Sequence, residues 1–175
     1  MARLTKLLVA VVLALVSVLS LAACEHIDAA KELGVSDVET YWVIDKVVGT
    51  EEYIAPAVRF RLHNRGTHAR RSVEVAGAFR RLGVPETWGS GWARATKPGE
   101  TLAPGQSALI VMVADARYHS AATPEQMFKH KLFVDATVEV FVKVAGSDWA
   151  KILDAPIKRR VGSREVQELS PEQPQ

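Results

Sequence analysis

The run Leu132-Phe133-Val134-Asp135-Ala136-Thr137-Val138-Glu139-Val140-Phe141-Val142-Lys143-Val144 decides the fold. Leu132, Val134, Ala136, Val138, Val140, Val142 and Val144 occupy every second position, with Asp135, Thr137, Glu139 and Lys143 between them. Successive side chains of a strand point to opposite faces, so this spacing gathers the apolar set on one side. A helix would scatter the same residues around its circumference, so the run predicts a long strand over 132–144. Gly146-Ser147-Asp148 supplies a turn, and residues 149–157 are expected to return as an antiparallel partner.

Moving towards the N-terminus, the same period recurs. Residues 41–48 form an expected first strand. In 57–63, Val58, Phe60 and Leu62 share one face while Arg59, Arg61 and His63 share the other, before a turn at Asn64-Arg65-Gly66. Val73, Val75, Gly77 and Phe79 alternate in a strand ending near Arg81. Residues 82–90 carry Gly83, Pro85 and Gly89 and suggest a long loop, with a short strand at 91–96. Residues 107–114 are apolar almost throughout, the pattern of a strand covered on both faces. Thr123-Pro124-Glu125-Gln126 carries helix-start chemistry, namely an N-cap threonine, proline at the first helical position and glutamine three residues on. About seven strands with almost no helix predict an all-β, antiparallel β-sandwich of immunoglobulin-like type spanning 41–161. Residues 24–40 are expected to be a tether, and 162–175, rich in Ser, Glu, Gln and Pro, a disordered tail.

The chain has 175 residues, 48% of them hydrophobic, a formal net charge of +2 and one cysteine. One cysteine excludes an internal disulfide and any multi-cysteine zinc or iron–sulfur site. The small net charge argues against nucleic-acid binding driven by overall basicity. The charge is unevenly spread: residues 24–58 hold two basic and eight acidic residues, whereas 59–97 hold nine basic and two acidic.

The N-terminus reads as an export signal. Arg3 and Lys6 precede an apolar stretch, 7–21, that is short for a membrane-spanning helix but suits a signal h-region. Leu21-Ala22-Ala23-Cys24 then resembles the lipobox of bacterial lipoproteins. That resemblance implies cleavage after residue 23, a lipid (diacylglyceryl) group on the Cys24 sulfur, further acylation such as palmitate at the new N-terminus, and a stable anchor in a membrane. Without residues 1–23 the chain holds 20 basic and 20 acidic residues. Glu25 follows the cysteine where enterobacterial inner-membrane lipoproteins carry aspartate, so the resemblance implies an outer-membrane anchor facing the periplasm. An ordinary cleaved signal with a chance cysteine, or an uncleaved anchor helix, are the alternatives.

Residues 57–157 are similar to the immunoglobulin-like domains of bacterial lipoproteins, including the FxLYD type. The matching features are Val58-Arg59-Phe60-Arg61-Leu62-His63-Asn64, the strand reaching Phe79, and Leu102-x-Pro104-Gly105 before an apolar strand. Phe79-Arg80-Arg81-Leu82 lacks the Tyr-Asp pair of that type. The resemblance implies a non-catalytic extracytoplasmic module.

No catalytic or metal-binding motif stands out. The five histidines, His26, His63, His68, His119 and His130, show no recognised ligand spacing, so no metal and no cofactor are expected. Gly89-Ser90-Gly91 does not match a nucleophile elbow. Two features suggest binding instead. Trp88 and Trp92 bracket Gly89-Ser90-Gly91 in an expected loop, where they either cap the core or grip a partner. Arg59, Arg61, Arg65, Arg70 and Arg71 form an expected basic face, suited to phosphate or carboxylate unless it is a solvated surface neutralised by the acidic N-terminal part. The expected function is a membrane-anchored, non-catalytic protein-binding or scaffolding lipoprotein of the cell envelope. The alternative is capture of an anionic glycan or lipid through the Trp88/Trp92 loop and the arginines.

Overall fold

In the computed structural model, which describes residues 27–163, the alternating stretches pair into two antiparallel sheets. The first comprises β1 (Leu33–Val48), β2 (Glu51–Asn64), β7 (Ser107–Val113) and β8 (Tyr118–Ser120). Its order is β1-β2-β7, with β8 pairing β2 beyond the end of β7. The second has the order β10-β9-β4-β5, from β4 (Glu74–Arg81), β5 (Thr87–Arg94), β9 (Ala136–Lys143) and β10 (Ala150–Pro156). β3 (Arg70–Arg71) and β6 (Thr101–Leu102) form a small ribbon, and two short helices, α1 (Ala29–Glu32) and α2 (Pro124–Lys129), complete the described elements. Seven strands run for seven residues or more, so the fold is the expected all-β antiparallel sandwich.

The alternation explains the core. On β2, Val58, Phe60 and Leu62 are fully buried, and on β9, Val138, Val140 and Val142 face them from the second sheet with Val75 and Phe79 of β4. Burying an aliphatic or aromatic side chain of this size contributes roughly 1.5–3 kcal/mol.

Both sides of the sandwich are bonded shut. On one side, glycines at the inward positions of β5 let it approach the first sheet. A Cβ on Gly89 would lie 2.6 Å from the Ala116 Cβ, and one on Gly91 would lie 3.2 Å from the Met112 Cβ. Asp115 seals this seam, its N–H donating to the Ser90 carbonyl (3.0 Å) and its carboxylate accepting from the Ser90 N–H (2.7 Å). On the other side, the chain after β10 runs along β1. The Trp42 N–H donates to the Arg160 carbonyl and the Gly162 N–H to the Trp42 carbonyl, both at 2.8 Å.

Several boundaries differ from expectation. The sandwich begins well before residue 41, because Ala29 and Leu33 are core residues and Leu33 already pairs with Asn64. A register shift between Ser36 and Glu39, with Asp37 at φ 52°, breaks the alternation that would have revealed this half of β1. The strand over 132–144 is shorter than expected, since β4 ends opposite Ala136 at Arg81 and leaves residues 131–135 no ladder. The phase then reverses: Phe133 packs against the core and Leu132 is 73% exposed. Gly162, expected in the tail, belongs with Arg160 and Val161 to a strap on β1. The signal segment, the lipobox with Cys24, Glu25, His26 and residues 164–175 lie outside the described residues.

Candidate functional site

The strands give the sandwich two unlike ends. The start of β1, the end of β2, and the 64–74, 94–107 and 143–150 connections form the end at which the described chain begins, called here the proximal end. The 48–51 turn, the 81–87 connection and the long excursion from 114 to 135 form the distal end.

The distal end holds the clearest concavity. Tyr118, His119, Ser120, Ala122, Gln126, Met127, His130, Leu132 and Phe133 line a cleft of about 500 Å³, within the range of small-molecule and anchor pockets. Helix α2 builds one wall. It starts where expected, with the Thr123 N–H donating to Gln126 Oε1 at 3.1 Å, and it ends at His130. Its Met127 and Phe128 turn inward. The Leu132 N–H donates to His130 Nδ1 (3.2 Å), which orients the imidazole at the rim. On the opposite rim the His119 ring stacks on Tyr53 at 5.0 Å between centroids and lies 3.3 Å from Glu51.

An aromatic cluster supports the cleft. Trp42, Trp88, Tyr118, Phe128 and Phe133 interlock with ring centroids 4.7–6.3 Å apart, the separation at which tilted and edge-on pairs attract. The Tyr118 hydroxyl donates to the Val134 carbonyl (3.3 Å), and burial holds its phenol above the ordinary pKa, partly offset by the Arg81 guanidinium. Three buried polar atoms lack a hydrogen-bond partner among the described residues: Trp42 Nε1, Glu52 Oε2 and Arg81 Nε. Glu52 pairs with the cleft residue Ser120, and Arg81 ends the strand next to the excursion.

The expected tryptophan loop is a strand, and its two tryptophans part company. Phe79 pairs with Gly89 but Arg80 pairs with Thr87, so Trp88 is the extra residue of a bulge. The bulge aims Trp88 at the aromatic cluster, its ring 4.7 Å from that of Tyr118. Trp92 pairs with Ala76 on the outer face and remains 54% exposed, with the Arg94 guanidinium 5.0 Å above its ring. Trp88 therefore caps the core, and the pair forms no shared grip.

The expected basic face is corrected in the same way. Because β1 pairs with β2, the acidic N-terminal stretch lies against the arginines. Arg59 contacts Glu39 at 2.7 Å, Arg61 contacts Asp37 at 3.6 Å, and Arg70 grips both Glu32 oxygens at 2.5 Å. Arg160 also bonds Glu39 (2.9 Å), and these two guanidiniums hold the Glu39 carboxyl below its ordinary pKa. Arg65 and Arg71 are exposed without an ion pair among the described residues. The charge asymmetry of the sequence thus largely cancels in space. Three of the five arginines are clasps, two to β1 and one to α1.

Of the histidines, His63 lies 2.6 Å from the Ser36 hydroxyl, His68 neighbours Thr67, and His119 and His130 flank the cleft. Among the described residues no three His, Cys, Asp or Glu side chains are grouped to hold a metal ion. The cleft was missed in the sequence because its residues come from β8, α2 and the following connection; only the α2 start signal pointed there.

No protein-family model matches this chain, and no curated protein does. Solved structures similar to it include the putative ApaA protein of Bordetella pertussis, at 15% identity over 71% of this chain and 91% of that one, with a TM-score of 0.38. A Northeast Structural Genomics Consortium target, SoR45, shares 12% identity over 74% of this chain and 85% of its own, with a TM-score of 0.39. The AT1g01470 protein of Arabidopsis thaliana shares 14% identity over 77% and 84% respectively, with a TM-score of 0.44.

Proposed function

We propose that this protein is a lipid-anchored, non-catalytic binding module of the bacterial cell envelope. Cys24 carries the lipid, and the distal cleft receives an apolar side chain of an envelope protein. The observation that carries the reading is the closeness of the lipobox to the fold: Ile27, three residues after Cys24, already packs against the core. The anchor is therefore joined to the domain almost directly, and the cleft faces the end away from it. Tethering of this kind raises the effective concentration of the module near membrane partners. The membrane is the outer membrane and the domain faces the periplasm, on the strength of Glu25. Among the described residues no helix is long and apolar enough to cross a membrane.

The cleft suits a protein anchor because its lining combines Met127, Phe133 and the exposed Leu132 with Gln126, His119 and His130 at the rim. That is the composition of an interface hot spot with a polar border. The glycan-or-lipid alternative needed Trp88, Trp92 and free arginines side by side, and the geometry offers no such site.

The test uses native membranes. Cys24→Ser should abolish lipid labelling and leave the signal segment uncleaved; lipid labelling retained by that variant would sink the anchoring. A photocrosslinker at Leu132 should capture a discrete protein that one at Lys151, on the side of β10, does not. Equal capture at both positions would remove the cleft from the reading.

A further inference from the structure

The proximal end carries an exposed tryptophan with no evident role in the core. Trp149 is 44% exposed at the close of the β9–β10 turn. The turn that presents it is closed by hydrogen bonds. The Ser147 N–H donates to the Val144 carbonyl (3.0 Å), the Val144 N–H donates to Ser147 Oγ (3.0 Å), and Gly146 takes the positive φ of 85° that the bend requires. Presenting an aromatic ring from such a turn loses little conformational entropy when it docks.

The same turn lies beside the point where the chain heads for Cys24. A Cβ on Gly146 would sit 3.7 Å from Ile27 Cδ1. From Ile27 to Cys24 there are three residues, which span at most about 11 Å when fully extended. A lipid on the Cys24 sulfur thus holds the end that carries the Gly146–Trp149 turn close to the bilayer.

We infer that the proximal end is a membrane-docking surface, with Trp149 inserted at the headgroup boundary beside the acyl anchor. This deepens the proposed function and rests on its lipid anchor. Tryptophan favours that boundary because its ring is apolar and its N–H is polar. Charge contributes little. Arg70 and Arg94 are paired with Glu32 and Glu74, and the exposed Arg65, Arg71 and Lys97 are nearly balanced by the exposed Glu100 and Asp148. Docking therefore depends on the indole and tolerates salt, unlike polybasic attachment. Docked this way, the sandwich holds its distal cleft away from the bilayer.

The experiment reconstitutes the lipoprotein into phosphatidylethanolamine/phosphatidylglycerol vesicles that contain lipids brominated near the headgroup, and reads quenching of tryptophan fluorescence. Quenching should appear in the wild type and in Trp92→Phe, persist in 0.5 M salt, and fall at least twofold in Trp149→Phe. Quenching unaffected by Trp149→Phe, or lost in high salt, overturns the docking. Mass spectrometry of Cys24 reports the anchor separately. Should Cys24 prove unmodified, the anchoring reading fails, and docking is read from the same protein with this sole cysteine coupled to a maleimide phospholipid. Absence of Trp149 quenching in that coupled sample also overturns it.

Discussion

The two ends of the sandwich solve the same problem, connecting strands, with opposite chemistry. At the proximal end the connections are pinned by polar groups. Buried Asn64 donates to the His68 and Leu102 carbonyls, each at 2.8 Å, and accepts from the Gly66 N–H at 2.9 Å, tying the β2 turn to the β3–β6 ribbon. At the distal end a long excursion is held by interlocked rings around Trp42, which is 0% exposed. The concavity left among the polar pins is smaller, about 300 Å³, and edged by charges such as Arg71, Glu74, Arg94 and Glu100. Packing five aromatic side chains across a non-strand segment leaves an irregular margin, and the cleft lies there. The lesson is that the sandwich spends its polar specificity where the chain enters and its apolar packing where the larger cavity opens.

That contrast can be broken most forcefully at Trp42. Trp42→Ala removes the ring shared by four aromatic neighbours and should destabilise the domain by about 3–5 kcal/mol. Chemical denaturation measures this, and a loss below about 1 kcal/mol would show that the distal end is not organised by packing. Asn64→Ala should lower stability by roughly 1–3 kcal/mol, since two carbonyls lose their donor and one N–H its acceptor. Its effect should be confined to the proximal end: amide exchange should accelerate in residues 64–74 and 101–106 and stay unchanged in 118–133. Acceleration at both ends would mean they are not separate units.

Glu39 lies between the ends, clasped by Arg59 and Arg160. Its folded pKa is depressed, so its stabilisation is fully present above the ordinary carboxylate pKa and disappears as pH falls through the lower folded value. Being largely solvent-accessible, the contribution is a fraction of a kcal/mol, about the size of a surface ion pair. Titrating stability from pH 6 to pH 2, Glu39→Gln should show a shallower acid decline than wild type, whereas parallel curves would argue that the clasp is inert. The smallest effect on stability is expected for Leu132→Ser. Losing an exposed leucine should change it by no more than about 0.5 kcal/mol while abolishing capture at the cleft, and a pull-down alongside thermal melting separates the two.

The residues differ in how openly the sequence announced them. Val138, Val140 and Val142 were legible because their neighbours β4 and β10 extend alongside them, so local period and tertiary burial agree. The same alternation misled at Leu132 and Phe133, where β4 has ended and no ladder enforces the phase. Trp88 was misplaced because a bulge reverses a side chain's direction without any mark in the pattern. The arginines looked free because their carboxylate partners are distant along the chain, Glu32 being 38 residues from Arg70.

By itself, then, the sequence determined the strand character, the inward faces of β2 and β9, the α2 start, and an N-terminus resembling a lipoprotein signal. These depend on neighbours one to four residues apart, where backbone geometry alone sets which side chains share a face. Only the tertiary structure decided that acidic β1 neutralises the arginines of β2, that Trp88 is interior while Trp92 and Trp149 are exposed, and that a cleft opens at the end opposite the one where the described chain begins. Each of those depends on which strands stop, pair or bulge against partners tens of residues away. Local periodicity carries no record of such choices.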